Sequence, residues 1–275
     1  ADTRSILAIA NGGVLVVNSA PTIGNKSGGN TVTVTGPGSL WAASSSVTLN
    51  LGAVGTGGRS GNTLTVENGG VVSNLNLYAG VASQCDANRV IVRTGGRYYG
   101  GMTVGNNNNF NSVSVLGGDG VQTMWDCRNN PLAIVAGPQA YSNQSVLIDG
   151  QGHDRSAVVT NATTVDVVDA AHGGRGCSLT VTNRGRLHAS GLLNVGGTYL
   201  TAIASGNRVI ASEGGKIFVV GMDVKLGNSN LVSVSGTDSL LDLGGGNVSM
   251  GSATRVGNQL SINQGGTADN IGTLI

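Results

Sequence analysis

Four aspartates and two histidines crowd one stretch of the chain: Asp149, His153, Asp154, Asp166, Asp169 and His172. Paired carboxyls are what glycoside hydrolysis requires, one to protonate the leaving oxygen and one to attack or to activate water. Asp166 and Asp169 are the pair near enough in sequence for that work. Their surroundings argue otherwise. Val165-Asp-Val167 alternates as a half-buried strand does, which turns Asp166 outward. Asp149 falls at a glycine corner, where an aspartate serves a turn. Aromatic residues, the usual platforms for sugars, make up 3% of the chain, and Trp41 and Trp125 lie far apart. No catalytic residue is assigned, and the chain is expected not to be an enzyme.

Other chemistries find equally thin support. Gly117-Gly-Asp-Gly120 has the flavour of a calcium-binding β-roll turn, but the nonapeptide period such turns need is absent. The pairs Thr31/Thr33 and Thr63/Thr65 suggest a flat ice-binding face, yet Arg89, Ile91, Arg208, Ile210 and Leu231 interrupt it. Cys85, Cys127 and Cys177 form no C-x-x-C pair, so neither a thiolate metal site nor a full disulfide framework is expected. No metal and no cofactor are assigned. Lys and Arg total 15 against 14 Asp and Glu, and they are scattered. A nucleic-acid partner would need a basic stripe, and a membrane span would need an apolar run of about 18 residues. The sequence has neither.

The elements that must carry these residues follow from a repeat. Its frame is Asn, any, apolar, any, apolar, two or three residues, then Gly-Gly, as in Asn62-Thr-Leu-Thr-Val-Glu-Asn-Gly-Gly70 and Asn88-Arg-Val-Ile-Val-Arg-Thr-Gly-Gly96. Anchors fall at Ser5, Asn30, Asn62, Asn88, Asn111, Gln144, Cys177, Asn207, Asn230 and Asn258. The second and fourth residues after each anchor are aliphatic throughout, so they share one face of a short strand. Glycine then permits the positive φ of a tight corner. A second alternating strand appears in most units, among them Leu49–Leu51, Leu75–Leu77, Met102–Val104, Leu193–Val195, Val224–Leu226 and Val248–Met250.

One unit cannot bury its own apolar face, but stacked units can. The reading is an all-β chain: one domain over 1–275, a parallel β-helix (β-solenoid) of about ten coils. Outward loops are expected near 52–61, 121–131 and 149–162. Gly is 47 of 275 residues without a Gly-X-Y period, which excludes collagen. The anchor asparagines either stack their amides into a ladder or simply tolerate left-handed turns. Tyr98, Tyr99 and Phe218, just after glycine corners, either pack at the coil edge or grip a partner.

The run Thr31-Val-Thr-Val-Thr-Gly-Pro-Gly-Ser-Leu-Trp41, with Leu49-Asn-Leu-Gly52, Asn62–Gly70 and Val232–Gly246, resembles the glycine-rich repeats of autotransporter passenger domains and related bacterial surface proteins. The resemblance implies a right-handed β-helix, export, and display at the cell surface. Such passengers serve as adhesins, scaffolds and enzyme carriers. No C-terminal barrel or anchoring helix is legible, so removal of these parts or another attachment is expected. Ile148-Asp-Gly-Gln-Gly152 resembles a short polygalacturonase motif, but the paired-Asp, Gly-His-Gly and Arg-Ile-Lys signatures of that family are missing. The first and last coils carry no legible cap. A self-assembling structural subunit of an extracellular fibre, sheath or layer is therefore expected, stacked end to end. An adhesin that binds surface glycans is the alternative.

Overall fold

The computed structural model describes residues 4–52, 60–81, 85–105, 108–118, 120–135, 142–168, 174–196, 204–224, 227–251 and 256–275. Ten short parallel strands stack in register into one ladder, from Ile6–Ala10 and Thr31–Thr35 to Leu231–Ser235 and Gln259–Asn263. Each begins just after a repeat anchor. A second ladder runs alongside, from Val14–Val17 to Thr267–Asp269. A third face is built by Met102–Val104, Leu193–Val195, Met222–Val224 and Val248–Met250. Three long strands, Leu40–Leu51, Thr123–Ile134 and Ala157–Val167, bend from the second ladder into the third, and their pairing register shifts at the bend. The chain is thus a parallel β-solenoid with three strand segments per coil, and no helix occurs among the described residues.

The inward residues are those the repeat marks. Val66, Val92, Val115, Ile148 and Val181 are fully buried and stack coil upon coil. At about 25 cal/mol per Å² of apolar surface, such continuous rows dominate the stability of the stack. The outward residues between them, such as Thr65, Ser114 and Thr180, remain half-exposed.

The anchor asparagines form a ladder. Asn30, Asn62 and Asn88 donate through Nδ2 to Oδ1 of the next anchor at 2.8, 2.9 and 3.0 Å. The same Oδ1 atoms also accept the backbone N–H of the preceding anchor, at 3.1, 3.0 and 3.0 Å. Asn207, Asn230 and Asn258 repeat the pattern. The left-handed conformation sits one residue earlier, at Gly29, Gly61, Ala87, Phe110, Asn143, Gly176, Gly206, Ser229 and Gly257, all with φ between 55° and 77°. The corner and the ladder are therefore separate devices on adjacent residues.

The Gly-Gly pair also divides its work. In Glu67-Asn-Gly-Gly70 the Gly70 N–H donates to Glu67 O at 2.9 Å, and Asn68 and Gly69 have φ of 52° and 79°, a turn with two left-handed residues. Gly70 itself is not left-handed. A Cβ there would land on the carbonyl oxygen of Val34 in the preceding coil. The first glycine serves conformation and the second serves close approach.

Three expectations need correction. Residues 121–131 are not a loop. Most of them lie in the strand Thr123–Ile134, because Trp125, Cys127 and Leu132 all bury. The excursion at 149–162 shrinks to the turn before Ala157, where the next strand begins. The strand read as Val224–Leu226 is Met222–Val224, since Met222 and Val224 are the inward pair; Lys225 and Leu226 lie outside the described residues. Most of the 52–61 loop also lies outside them.

Candidate functional site

The acidic cluster of the sequence does not converge. Asp149 ends a first-ladder strand, and its Oδ1 accepts the Gln151 N–H at 2.8 Å and the Asn183 amide at 3.0 Å. It is a turn residue. Asp166 faces outward from the third face, where Asn194 donates to Oδ1 at 2.6 Å and Thr164 to Oδ2 at 2.9 Å. Asp154 lies in the intervening turn, and Arg186 of the next coil grips both its oxygens at 2.8 and 3.1 Å. That guanidinium holds the Asp154 carboxyl below the usual carboxylate range. A general acid needs the opposite shift. Asp169 and His172 lie outside the described residues, as does Asp119 of the Gly117–Gly120 turn. No group of three metal-ligating side chains occurs among the described residues.

The aromatic residues are committed as well. Tyr98 is fully buried and stacks on Trp125 of the next coil, centroids 3.9 Å apart; the Trp125 Nε1 donates to Gly100 O at 2.8 Å. Tyr99 lies beneath the Arg128 guanidinium, 4.9 Å away, and Phe218 stacks on His188. Of the two readings of Tyr98, Tyr99 and Phe218, packing holds.

All three cysteines are buried and none forms a disulfide. Burial pushes the Cys127 thiol up to about 12, with a smaller push from the neighbouring Asp126, and burial pushes Cys177 up to about 11. Both stay protonated at neutral pH, and the thiol is not the nucleophile. Iodoacetamide at about pH 8 is expected to leave Cys127 and Cys177 unmodified in the folded protein and to label them once guanidinium unfolds it. Labelling of either in the native state would contradict this burial. The same raised values mean that the unfolded chain gives up protons that the folded chain keeps. Stability therefore falls as pH rises beyond about 9.

Apolar side chains are exposed on the first and last described coils, as they are at Phe110, Val121, Leu192 and Val220 between them. At the first coil, Ile6, Leu7, Val14 and Val16 are exposed, and Leu7, Leu15, Val17, Pro21, Ile23 and Trp41 frame a concavity of about 400 Å³. At the last coil, Ile262, Leu274 and Ile275 are exposed. The ladder has polarity too. Asn258 Oδ1 accepts the Asn230 N–H at 3.1 Å, while at the other end Ser5 donates its N–H to Asn30 Oδ1 at 2.9 Å.

No family model matches the chain. No curated protein matches it either. Among solved structures it is similar to the TibC-catalysed hyper-glycosylated fragment of TibA, at 16% identity and a TM-score of 0.27, over 96% of this chain and 82% of that one. The solenoid fold rests on the chain's own strand pairing.

Sequence reasoning missed one exposed aromatic. Phe110 is 59% exposed with φ of 59°. The signal was in the repeat: it occupies the position before the anchor, where five of the nine described corners have glycine.

Proposed function

We propose that the protein is a structural solenoid of the cell exterior that assembles end to end, the last coil of one copy stacking on the first coil of the next. The observation that supports this reading is the register shared by the first and last described coils. Continuing the ladder register sets Leu260 on Leu7, Ile262 on Ile9 and Ala268 on Leu15, each an inward position. The backbone N–H of Asn258 points onward along a ladder in which Asn30, Asn62, Asn88, Asn111, Cys177, Asn207 and Asn230 each donate N–H to a side-chain oxygen of the next anchor. Ser5 of the next copy supplies an oxygen at that place. A contact that joins unlike faces does not close on itself, so it grows into a filament. The resemblance of Thr31–Trp41 and its companions to passenger repeats supports display outside the cell. The engaged carboxylates support a role without catalysis.

Negative-stain microscopy of the purified chain over a concentration series tests the proposal. Filaments with an axial repeat of about 45–50 Å are expected, ten coils at about 4.8 Å each. Ile262→Lys sets a charge on the stacking face while leaving the inner coils untouched, and is expected to give short isolated rods. A wild-type chain that stays monomeric by sedimentation at high concentration defeats the proposal and favours the adhesin alternative.

A further inference from the structure

Phe110 is the bulkiest of the four non-glycine residues at the left-handed corner before an anchor, the others being Ala87, Asn143 and Ser229. The residue before each ladder anchor must take the left-handed conformation, and Gly29, Gly61, Gly176, Gly206 and Gly257 do so without strain. A bulky L residue there is strained by contact of its Cβ with the following carbonyl. Phe110 accepts that strain and yet keeps its ring 59% exposed, so burial does not compensate it. Departures of this kind, with no packing to offset them, concentrate at functional sites.

The ring borders an open groove of about 320 Å³ on the outer side of the first ladder. Arg89, Ser112 and Ser145 line it from three successive coils in direct register, one strand spacing apart. Ser114 and the amide of Asn143 complete its polar surface. Arg89 is the one charged residue among those lining the groove. The nearby Asp86 carboxylate is occupied, accepting the Asn109 N–H at 2.7 Å.

An exposed ring face, two serine hydroxyls one strand spacing of about 4.8 Å apart and a single guanidinium fit one chemistry. The ring offers a platform for the C–H face of a pyranose. The serines and Asn143 exchange hydrogen bonds with its hydroxyls. Arg89 pairs with an anionic substituent, as guanidinium does with carboxylate or sulfate. We propose that the groove beside Phe110 binds an acidic glycan that runs along the coil stack. This site lies on the lateral face, so it is independent of the end-to-end contact and goes beyond the structural role.

Affinity electrophoresis tests it, with polygalacturonate, dextran sulfate or neutral dextran cast into the gel. At least one acidic polymer is expected to retard the protein, and dextran is not; which acid retards it more distinguishes carboxylate from sulfate. Phe110→Gly is expected to weaken that binding about tenfold while raising the melting temperature by about 3 °C, because the corner strain is relieved. It leaves the net charge unchanged, so a nonspecific attraction to polyanions survives it. Arg89→Gln is expected to weaken binding similarly and to flatten its salt dependence. All measurements are repeated on Ile262→Lys, where glycan binding persists whether or not filaments form. Failure of both acidic polymers to retard the wild type overturns the proposal. So does undiminished retardation of Phe110→Gly, or retardation by dextran equal to that by the acids.

Discussion

Asn88→Ala will lower the stability of the central coils by about 3–5 kcal/mol, which makes it one of the two most damaging substitutions considered. Asn88 is fully buried and sits at the middle of the amide ladder. Its Oδ1 accepts the backbone N–H of Asn62 at 3.0 Å and the Asn62 amide at 2.9 Å. Its Nδ2 donates to Cys85 O at 2.6 Å and to Asn111 Oδ1 at 3.0 Å. Alanine removes all four bonds and leaves their partners buried away from bulk solvent. Leaving a buried donor without an acceptor costs about 1–3 kcal/mol for each such group. Each coil contacts only its neighbours in a stack of this kind, so the damage stays local. Hydrogen exchange should accelerate at the amides of Asn62 and Asn88 and leave those of Asn207 and Asn230 nearly unchanged. Asn258→Ala provides the comparison, since that half-buried anchor can exchange its partners for water at a cost of about 1 kcal/mol. Equal losses at Asn88 and Asn258 would show that the ladder is not the source of stability.

The fold was legible because the repeat exposes its own period. Inward pairs such as Leu64/Val66 and Val113/Val115 recur at the same place in every unit, and a one-residue error would turn them all outward. The anchors mark the ten strands of the first ladder for the same reason. What the sequence hid depends on contacts between coils. No local signal tells that Tyr98 turns inward onto Trp125 while Tyr99 turns outward beneath Arg128, since both belong to one short strand. A loop is expected at 121–131 because that repeat unit is long, yet the alternate residues Trp125 and Cys127 are buried in a strand. Arg128 and Asn129 turn its corner with positive φ. The acidic cluster is dense only along the chain. Folding sends Asp149 and Asp166 to different faces, because one lies on the first ladder and the other on the third. Phe110 was legible in principle, as an aromatic in a place that otherwise favours glycine, but the meaning of that place emerged only once its φ was known.

The second large effect separates the two glycines of the repeated corner. Gly215→Ala is expected to cost about 3 kcal/mol or more, whereas Gly214→Asn is expected to cost less than about 1 kcal/mol. Gly214 has φ of 75° and open surroundings; a Cβ there would meet Arg184 Cγ at 3.2 Å, the flexible part of a surface side chain. Asparagine tolerates that conformation, and in the preceding coil Arg184 already occupies the equivalent position with φ of 67°. Gly215 faces a different obstacle. Its Cβ would clash with the carbonyl oxygen of Val181, whose strand Ser178–Thr182 is paired in register with the strand that leads into the corner. The Ser212 oxygen, at 2.9 Å, closes the other side. Neither strand can retreat without opening the pairing between the two coils. Gly70, Gly96, Gly185 and Gly266 meet the same kind of backbone obstacle, so the second position tolerates no side chain while the first tolerates some. Thermal denaturation of both variants, read with hydrogen exchange over 178–218, decides the matter. Similar losses in the two would mean that the pair serves backbone conformation alone, and the close packing of successive coils would need another explanation.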